Sequence, residues 1–405
     1  MIKIKLRTKF EIIGALLFIA LLVAVSAESV TRTITDSTDN SYTLIRNSNG
    51  KYWAATGDNL QIAINDLGSG GGTVWVGSDI TLTTTLKLNR SYITIDFESH
   101  KVTLGSDITF INVSSATPVI GSTVQNVHID PISTQTKDII SLYLPPNAGW
   151  ANRIWSNLFE NIIIGRSDLG GNHNYIGIHL YIDVGAYDPM DMASFFGNTF
   201  RHITMYNPNT AILLESDNTD AWGNANNFED ILVWAYVTGV EFKIDPSATG
   251  KGFSQGVFDN VKMQTADYSK DAFKNIDGNG NHFTDCLVWD WYAATSPNHE
   301  WSIDSNAEDT YINVHYIIDI LDNSQNTKIV DPLGRTEHHG ATIVADGGTI
   351  SHGLYKTPTV VVCTCSVSGQ MVSVTALGPT TFTVAIKKYD GSAGTTQKIY
   401  WYAWV

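Results

Sequence analysis

The sequence predicts an all-β chain: a right-handed parallel β-helix opened by a short capping helix and followed by a small C-terminal β-sandwich. Three observations carry this reading. A phenylalanine-centred motif returns five times, a short amphipathic stretch and a glycine run precede the first strands, and glycine-punctuated strands of different character follow residue 331.

Aligned on phenylalanine, the copies read Asn157-x-Phe159-x-x-Ile162-x-Ile164, Asn198-x-Phe200-x-x-Ile203-x-Met205, Asn226-x-Phe228-x-x-Ile231-x-Val233, Gly256-x-Phe258-x-x-Val261-x-Met263 and Asn281-x-Phe283-x-x-Cys286-x-Val288. Val124-x-x-Val127-x-Ile129 is a weaker, earlier copy. Successive phenylalanines are 41, 28, 30 and 25 residues apart, a spread that β-helix coils absorb in their turns and helical repeats rarely tolerate. Most copies carry a second strand, as in Ile178-x-Leu180-x-Ile182, Ile212-x-Leu214 and Val240-x-Phe242-x-Ile244, with looser versions at Ala272 to Ile276 and Trp301 to Ile303. Apolar residues of period two that return in register stack as columns inside a tube. The asparagine two positions before phenylalanine belongs to the same stack, because its side chain can pair with backbone or with neighbouring coils.

The chain ahead of the coils divides at composition changes. Residues 28–52 are polar and lead into Tyr52-Trp53-Ala54-Ala55, an opening strand or hairpin. Asp58 is placed to cap a helix with apolar positions at Leu60, Ile62, Ala63 and Leu67, which Gly68 to Gly72 stops. Thr73-Val74-Trp75-Val76, Ile80 to Leu88 and Tyr92 to Phe97 follow as strands, so the helix covers the open end of a β-helix spanning 53–332. In 333–405, glycines separate strands at Ala341 to Val344, Thr359 to Cys363, Met371 to Thr375, Thr381 to Ile386 and Ile399 to Val405, the pattern of a compact β-sandwich.

Residues 1–27 have the form of a secretion signal: Lys3, Lys5, Arg7 and Lys9 precede an apolar run from Ile12 to Val25, closed by Ala27. Cleaved, it leaves a secreted protein; uncleaved, it is an anchor and the chain's contact with a membrane. Either outcome puts the rest outside the cell or on its surface. The segment carries a net +3, so its removal takes the chain from −15 to −18. With 25 basic residues against 40 acids, nucleic acids and highly charged acidic glycans meet repulsion on average. Cys286, Cys363 and Cys365 give neither a metal site nor a disulfide framework and read as buried small residues. Asn89-Arg90-Ser91 and Asn112-Val113-Ser114 match the N-glycosylation triplet.

Leu60 to Val76, with its helix, glycine run and Thr-Val-Trp-Val strand, resembles the opening of pectate lyase superfamily domains, and the five phenylalanine-centred coils resemble the body of that pectin-lyase-like fold. Gly348-Thr349-Ile350-Ser351-His352-Gly353-Leu354, with Pro358 and the strand from Thr359, is similar to β-sandwich tips of surface proteins and phage tail spikes. The resemblance implies an extracellular protein that binds or cleaves polysaccharide, often as a homotrimer, and fold alone does not establish chemistry. An enzyme of this kind would be a polysaccharide lyase or a glycoside hydrolase, the lyase with Ca²⁺. The alternative is a non-enzymatic adhesin or appendage subunit, with the β-helix as stalk and the C-terminal domain as binding or trimerisation module.

The motifs of polygalacturonases are mostly missing. Asn218-Thr219-Asp220 is present, but no Asp-Asp pair or Arg-Ile-Lys follows, and the His-Gly pairs at His339 and His352 lie near or inside the C-terminal domain. Lyase chemistry wants clustered carboxylates and a basic residue beside them, and Arg153, Arg166 and Arg201 have no evident acidic cluster. A recurrent aspartate after the second strand gives the catalytic candidates Asp183, Asp217 and Asp245, with Asp277 and Asp304 as looser members and Glu215 pointing outward beside Asp217. Neighbouring coils lie about 4.8 Å apart, compatible with the roughly 5–9.5 Å between glycosidase carboxylates. The same aspartates can instead cap the turns that follow.

Six residues past each phenylalanine stand Gly165, Tyr206, Trp234, Gln264 and Trp289, with Tyr236 and Trp291 two further on. This predicts an exposed aromatic stripe. It is either a platform on which sugar rings stack, with Tyr206, Trp234, Tyr236, Trp289 and Trp291 as substrate-binding residues, or a contact between subunits.

Overall fold

A computed structural model of the chain describes residues 34–35, 41–42, 44–114, 118–145, 152–166, 174–183, 194–217, 222–245, 252–266, 269–289, 299–314, 320–324, 327–330, 337–354 and 356–405. Segment 1–27, with its signal-like pattern, lies outside them. Among the described residues the strands wind into a right-handed parallel β-helix whose rungs form a 16-stranded, a 9-stranded and a 4-stranded sheet. One coil shows the order: Leu158–Ile164 in the long sheet, Ile176–Ile182 in the 9-stranded sheet, Ser194–Phe196 in the short sheet, then Thr199–Tyr206 back in the long sheet.

The recurring motif is the core. Phe159, Phe200, Phe228, Phe258 and Phe283 are paired rung to rung in register and buried. Their ring centroids are 5.0, 5.1, 4.8 and 4.6 Å apart, with planes within 9° of parallel. That spacing is the roughly 4.8 Å between hydrogen-bonded strands, so each ring stacks on the next without moving the backbone. The column continues through Val124, Ile95 and Val74 at one end and Ile312 and Ile329 at the other.

Phenylalanine and the apolar residue three positions on are both buried, which strict alternation forbids. The reason is a bend between them: Asn126, Asn161, His202, Asp230, Asn260 and Asp285 all have φ between 52 and 58°, and the register of paired residues skips them. Asn, Asp and His enter this left-handed region more readily than other side chains. A second left-handed column, three residues before phenylalanine, comprises Gly121, Ser156, Gly197, Ala225, Gln255 and Gly280 and turns the chain into the long sheet. The two bends bracket the four residues around each phenylalanine and reset the register on either side.

Between them runs a buried asparagine ladder. Asn157 Nδ2 donates to Asn198 Oδ1 at 3.0 Å and Asn198 Nδ2 to Asn226 Oδ1 at 2.9 Å, while their second amide hydrogens satisfy the carbonyls of Val119 and Ile154. The ladder breaks at Gly256, whose N–H donates to Asn281 Oδ1 at 2.8 Å but which offers nothing to Asn226. Asn226 Nδ2 is buried without a hydrogen-bond partner.

The opening helix, Gly57–Asp66, is capped by Thr56, whose hydroxyl accepts from the Asn59 N–H; Asp58 instead sits in the first turn, favourable to the helix dipole. Its buried face is Gly57, Leu60, Ala63 and Ile64, and Ile62 is exposed because helical spacing from Leu60 selects positions 63 and 64. Gly71, at φ 72°, ends the approach to the first coil: a Cβ there would lie 2.3 Å from the Tyr92 carbonyl oxygen.

The C-terminal strands form two antiparallel sheets, one of Glu337–Val344, Gln397–Trp404 and Val360–Cys365, the other of Thr349–Ser351, Thr381–Lys388 and Gln370–Leu377. Phe382, Val384, Ile386, Ile399 and Trp401 make a core separate from that of the β-helix. All three cysteines are free thiols: Cys286 fills an aliphatic rung position, where burial pushes its thiol up to about 12, while Cys363 and Cys365 are half-buried on an edge strand.

Two stability changes follow from the columns. Phe228→Ala removes the middle ring of the stack and is expected to cost about 3–5 kcal/mol in denaturant unfolding. Gly256→Asn is expected to raise the melting temperature, because it supplies the missing acceptor for Asn226 and reduces unfolded-chain freedom, with the Asn281 amide shifting by a few tenths of an ångström from the new Cβ, which would otherwise lie 3.0 Å from its Oδ1.

Candidate functional site

The 9-stranded sheet sends its even-register residues inward, so Ile140, Ile178, Ile212 and Val240 form one buried column and Leu142, Leu180, Leu214 and Phe242 another. The residues between them must therefore face away from the core. Read across the rungs, these outward columns are Ser141, His179, Leu213, Glu241 and Lys274, then Tyr143, Tyr181, Glu215 and Lys243. Asp183, Asp217 and Asp245 stand immediately beyond the strand ends, each donating its N–H to the previous rung, at Leu144, Ile182 and Ser216.

The side chains on this face are bonded from coil to coil. Tyr181 donates its hydroxyl to Asp217 Oδ2 at 2.6 Å, and one rung earlier Tyr143 donates to Asp183 Oδ2 at 3.1 Å. The two phenol rings stack at 5.4 Å, and the His179 imidazole stacks on Tyr181 at 5.5 Å. His179 is held at both nitrogens, 2.8 Å from Asp138 Oδ2 and 3.1 Å from Glu215 Oε2. Glu215 is also ion-paired to Lys243, and Glu241 to Lys274 at 2.7 Å.

Charge states follow from these contacts. Burial alone would lower the His179 pKa; the hydrogen bonds to Asp138 and then Glu215 outweigh it and raise it to about 9. The His179 hydrogen bond holds the Glu215 carboxyl below its ordinary range against the opposing effect of burial, with Lys243 adding to the depression. Lys243 is raised in turn by Glu215. Burial pushes the Tyr181 phenol up, and its bond to Asp217 and the nearby charges of Asp183 and Glu215 push it further. Glu215 is thus a fixed anion in a cationic clasp, while Asp183 and Asp217 each hold a phenolic hydroxyl.

The aspartate column divides by what its carboxylates accept. Asp304 Oδ1 caps its own turn, taking the Asn306 N–H at 3.0 Å, and Asp277 Oδ1 takes the Gly278 N–H. Asp183 and Asp217 accept from tyrosines instead. Burial raises the Asp277 pKa.

The aromatic stripe lies on a different sheet. Tyr206, Trp234, Gln264 and Trp289 are in register on the long sheet, with the Trp234 and Trp289 rings 6.5 Å apart. A turn containing left-handed Asn207 separates this column from the 9-stranded sheet, so the acids and the tryptophans face outward from successive sheets. Tyr236 does not belong to the stripe: it is fully buried, because left-handed Ala235 (φ 57°) breaks the alternation and turns the next side chain inward. Trp291 and Asn218-Thr219-Asp220 lie outside the described residues.

His179, Asp138, Tyr143, Tyr181 and Lys243 are absent from the sequence-derived candidates. The signal available was Ile178-His179-Leu180-Tyr181-Ile182, where polar residues capable of chemistry alternate with core residues on one strand. Among the described residues no three His, Cys, Asp or Glu side chains are placed to hold a metal ion, and no helix is long and apolar enough to cross a membrane.

No family model matches the chain, and no curated protein matches it. Among solved structures it is similar to the Pseudomonas phage phi297 tailspike gp61, at 14% identity and a TM-score of 0.25, covering 82% of this chain and 60% of the tailspike. It is also similar to ORF18 of Geobacillus virus E2, at 13% identity and a TM-score of 0.35 over 94% of this chain and 79% of that one. The enzymatically active domain of bacteriophage CBA120 tailspike protein 4 matches at 12% identity and a TM-score of 0.27, over 87% and 64%.

His179 makes stability depend on pH in a defined direction. Its folded pKa, about 9, lies above the ordinary 6.5, so its contribution is complete below about pH 6.5 and is lost as pH rises through 9. Glu215 acts oppositely, contributing above its ordinary 4.5 and losing that contribution as pH falls through its lowered value. The melting temperature of the wild type is expected to fall between pH 6.5 and 9, and His179→Gln to flatten that limb in a pH series of thermal melts.

Proposed function

We propose that the chain is an extracellular polysaccharide-binding protein that hydrolyses its glycan on the outward face of the 9-stranded sheet. The observation that carries this reading is the pair Asp183 and Asp217, on adjacent rungs and each bonded to a tyrosine hydroxyl of the rung before. The rung spacing of about 4.8 Å is close to the roughly 5–5.5 Å between the carboxyl groups of retaining glycosidases. Asp217, which accepts the shorter bond from Tyr181, takes the role of nucleophile. Asp183, more weakly bonded, takes the role of acid and then base. Tyr143 and Tyr181 offer stacked rings beside the pair, Glu215 holds His179 and Lys243 in place, and Asp245 extends the acid edge by one rung.

A binding-only reading is favoured by one observation: Glu215, a buried acid of this face, is neutralised by His179 and Lys243 and is unavailable for proton transfer. An adhesin would keep glycan affinity with no turnover.

Incubation with a glycan panel separates the two. Hydrolysis should release new reducing ends with retained anomeric configuration by NMR, and Asp217→Asn should lower turnover by about 10³-fold or more while leaving binding within about threefold. Binding without products from the wild type would establish the adhesin; inverted products would reject the Asp183 and Asp217 pair.

A further inference from the structure

Resting on the glycan reading, we infer that the polysaccharide taken by this face is uncharged: a neutral glycan, without uronate, sulfate or phosphate groups. On the rungs from Tyr143 to Lys274, Asp138, Asp183, Glu215, Asp217, Glu241 and Asp245 stand on or beside the 9-stranded sheet face, against His179, Lys243 and Lys274 on its strands; Lys87 lies on the sheet's first strand, three rungs before His179, and Lys137 precedes Asp138.

The three cations on the strands of these rungs are already engaged. His179 lies between Asp138 and Glu215, Lys243 is bound to Glu215, and Lys274 to Glu241. A ligand carboxylate would have to break one of these pairs to find a counter-charge, leaving a protein carboxylate exposed to it. The nucleophile Asp217 meanwhile presents a carboxylate that the Tyr181 hydroxyl bonds and does not neutralise. A neutral sugar meets none of this repulsion. Its hydroxyls can donate to the carboxylates, and its rings can lie on Tyr143 and Tyr181.

The test uses the full chain on a glycan array containing neutral, uronate-bearing and sulfated members, followed by calorimetry on acidic polysaccharides paired with their carboxyl-reduced forms. Neutral hits, and carboxyl-reduced forms bound about tenfold or more tightly than their parents, are the expected result. The Asp183→Asn/Asp217→Asn double variant should narrow that gap. Asp58→Asn/Asp259→Asn, which likewise replaces two carboxyl groups, at exposed positions off this face, should leave it unchanged. Tighter binding of the acidic parents, or an equal effect of both double variants, overturns the inference while the glycan reading stands. Failure to bind any member, with the protein folded by circular dichroism, refutes the glycan reading itself.

Discussion

Identical side chains stacked at the spacing of hydrogen-bonded strands hold this molecule in register. The phenylalanine rings sit 4.6–5.1 Å apart with nearly parallel planes, and the asparagine ladder beside them bonds amide to amide through the same rungs. The segment around each phenylalanine is bracketed by left-handed residues, so the count between bends is fixed while the turns elsewhere change length. A one-residue insertion between the bends would displace every inward column of its coil toward solvent, whereas an insertion in a turn displaces none. That asymmetry explains how phenylalanines 41 and 25 residues apart in sequence can still lie on one line.

The same register places the candidate site. Tyr143 and Tyr181 overlap because Leu142 and Leu180 are paired beneath them, and Asp217 reaches Tyr181 because it stands one rung on and two residues further along. The inward columns therefore act on the chemistry at a distance: they set which outward side chains are neighbours. His179 and Glu215 add a bond across rungs that the backbone pairing alone does not provide.

What could be read from the sequence follows the same division. Inward positions repeat, so the coils, their second strands and the separate C-terminal sheets were legible as recurrences. The left-handed column was present as Asn126, Asn161, His202, Asp230, Asn260 and Asp285, but a reading by alternation of period two has no place for a bend that leaves two apolar residues three apart on one side. That omission misplaced Tyr236, where another left-handed residue redirects the side chain, and helical spacing likewise exchanged Ile62 for Ile64. Asp183, Asp217 and Asp245 recurred and were found. His179 did not recur and Tyr181 recurred only as Tyr143, because an outward position is free to change from coil to coil; only their pairing with neighbours gives them meaning, and that is a property of the assembled rungs.

The separation of the acids from the tryptophans constrains how a ligand can lie. A chain running parallel to the helix axis meets one column of one sheet after another rung, so along the 9-stranded sheet it passes Tyr143, Tyr181 and then Glu215 and Lys243, and along the long sheet Tyr206, Trp234 and Trp289. Contact with both sets requires crossing the turn at Asn207, nearly along the strands. The tyrosines and acids thus form a unit with its own stacking surface, and the tryptophan pair is a second surface whose role is independent of the first. Removing the tryptophans tests the long sheet alone, and the chemistry assigned to Asp183 and Asp217 stands or falls on the face that carries them.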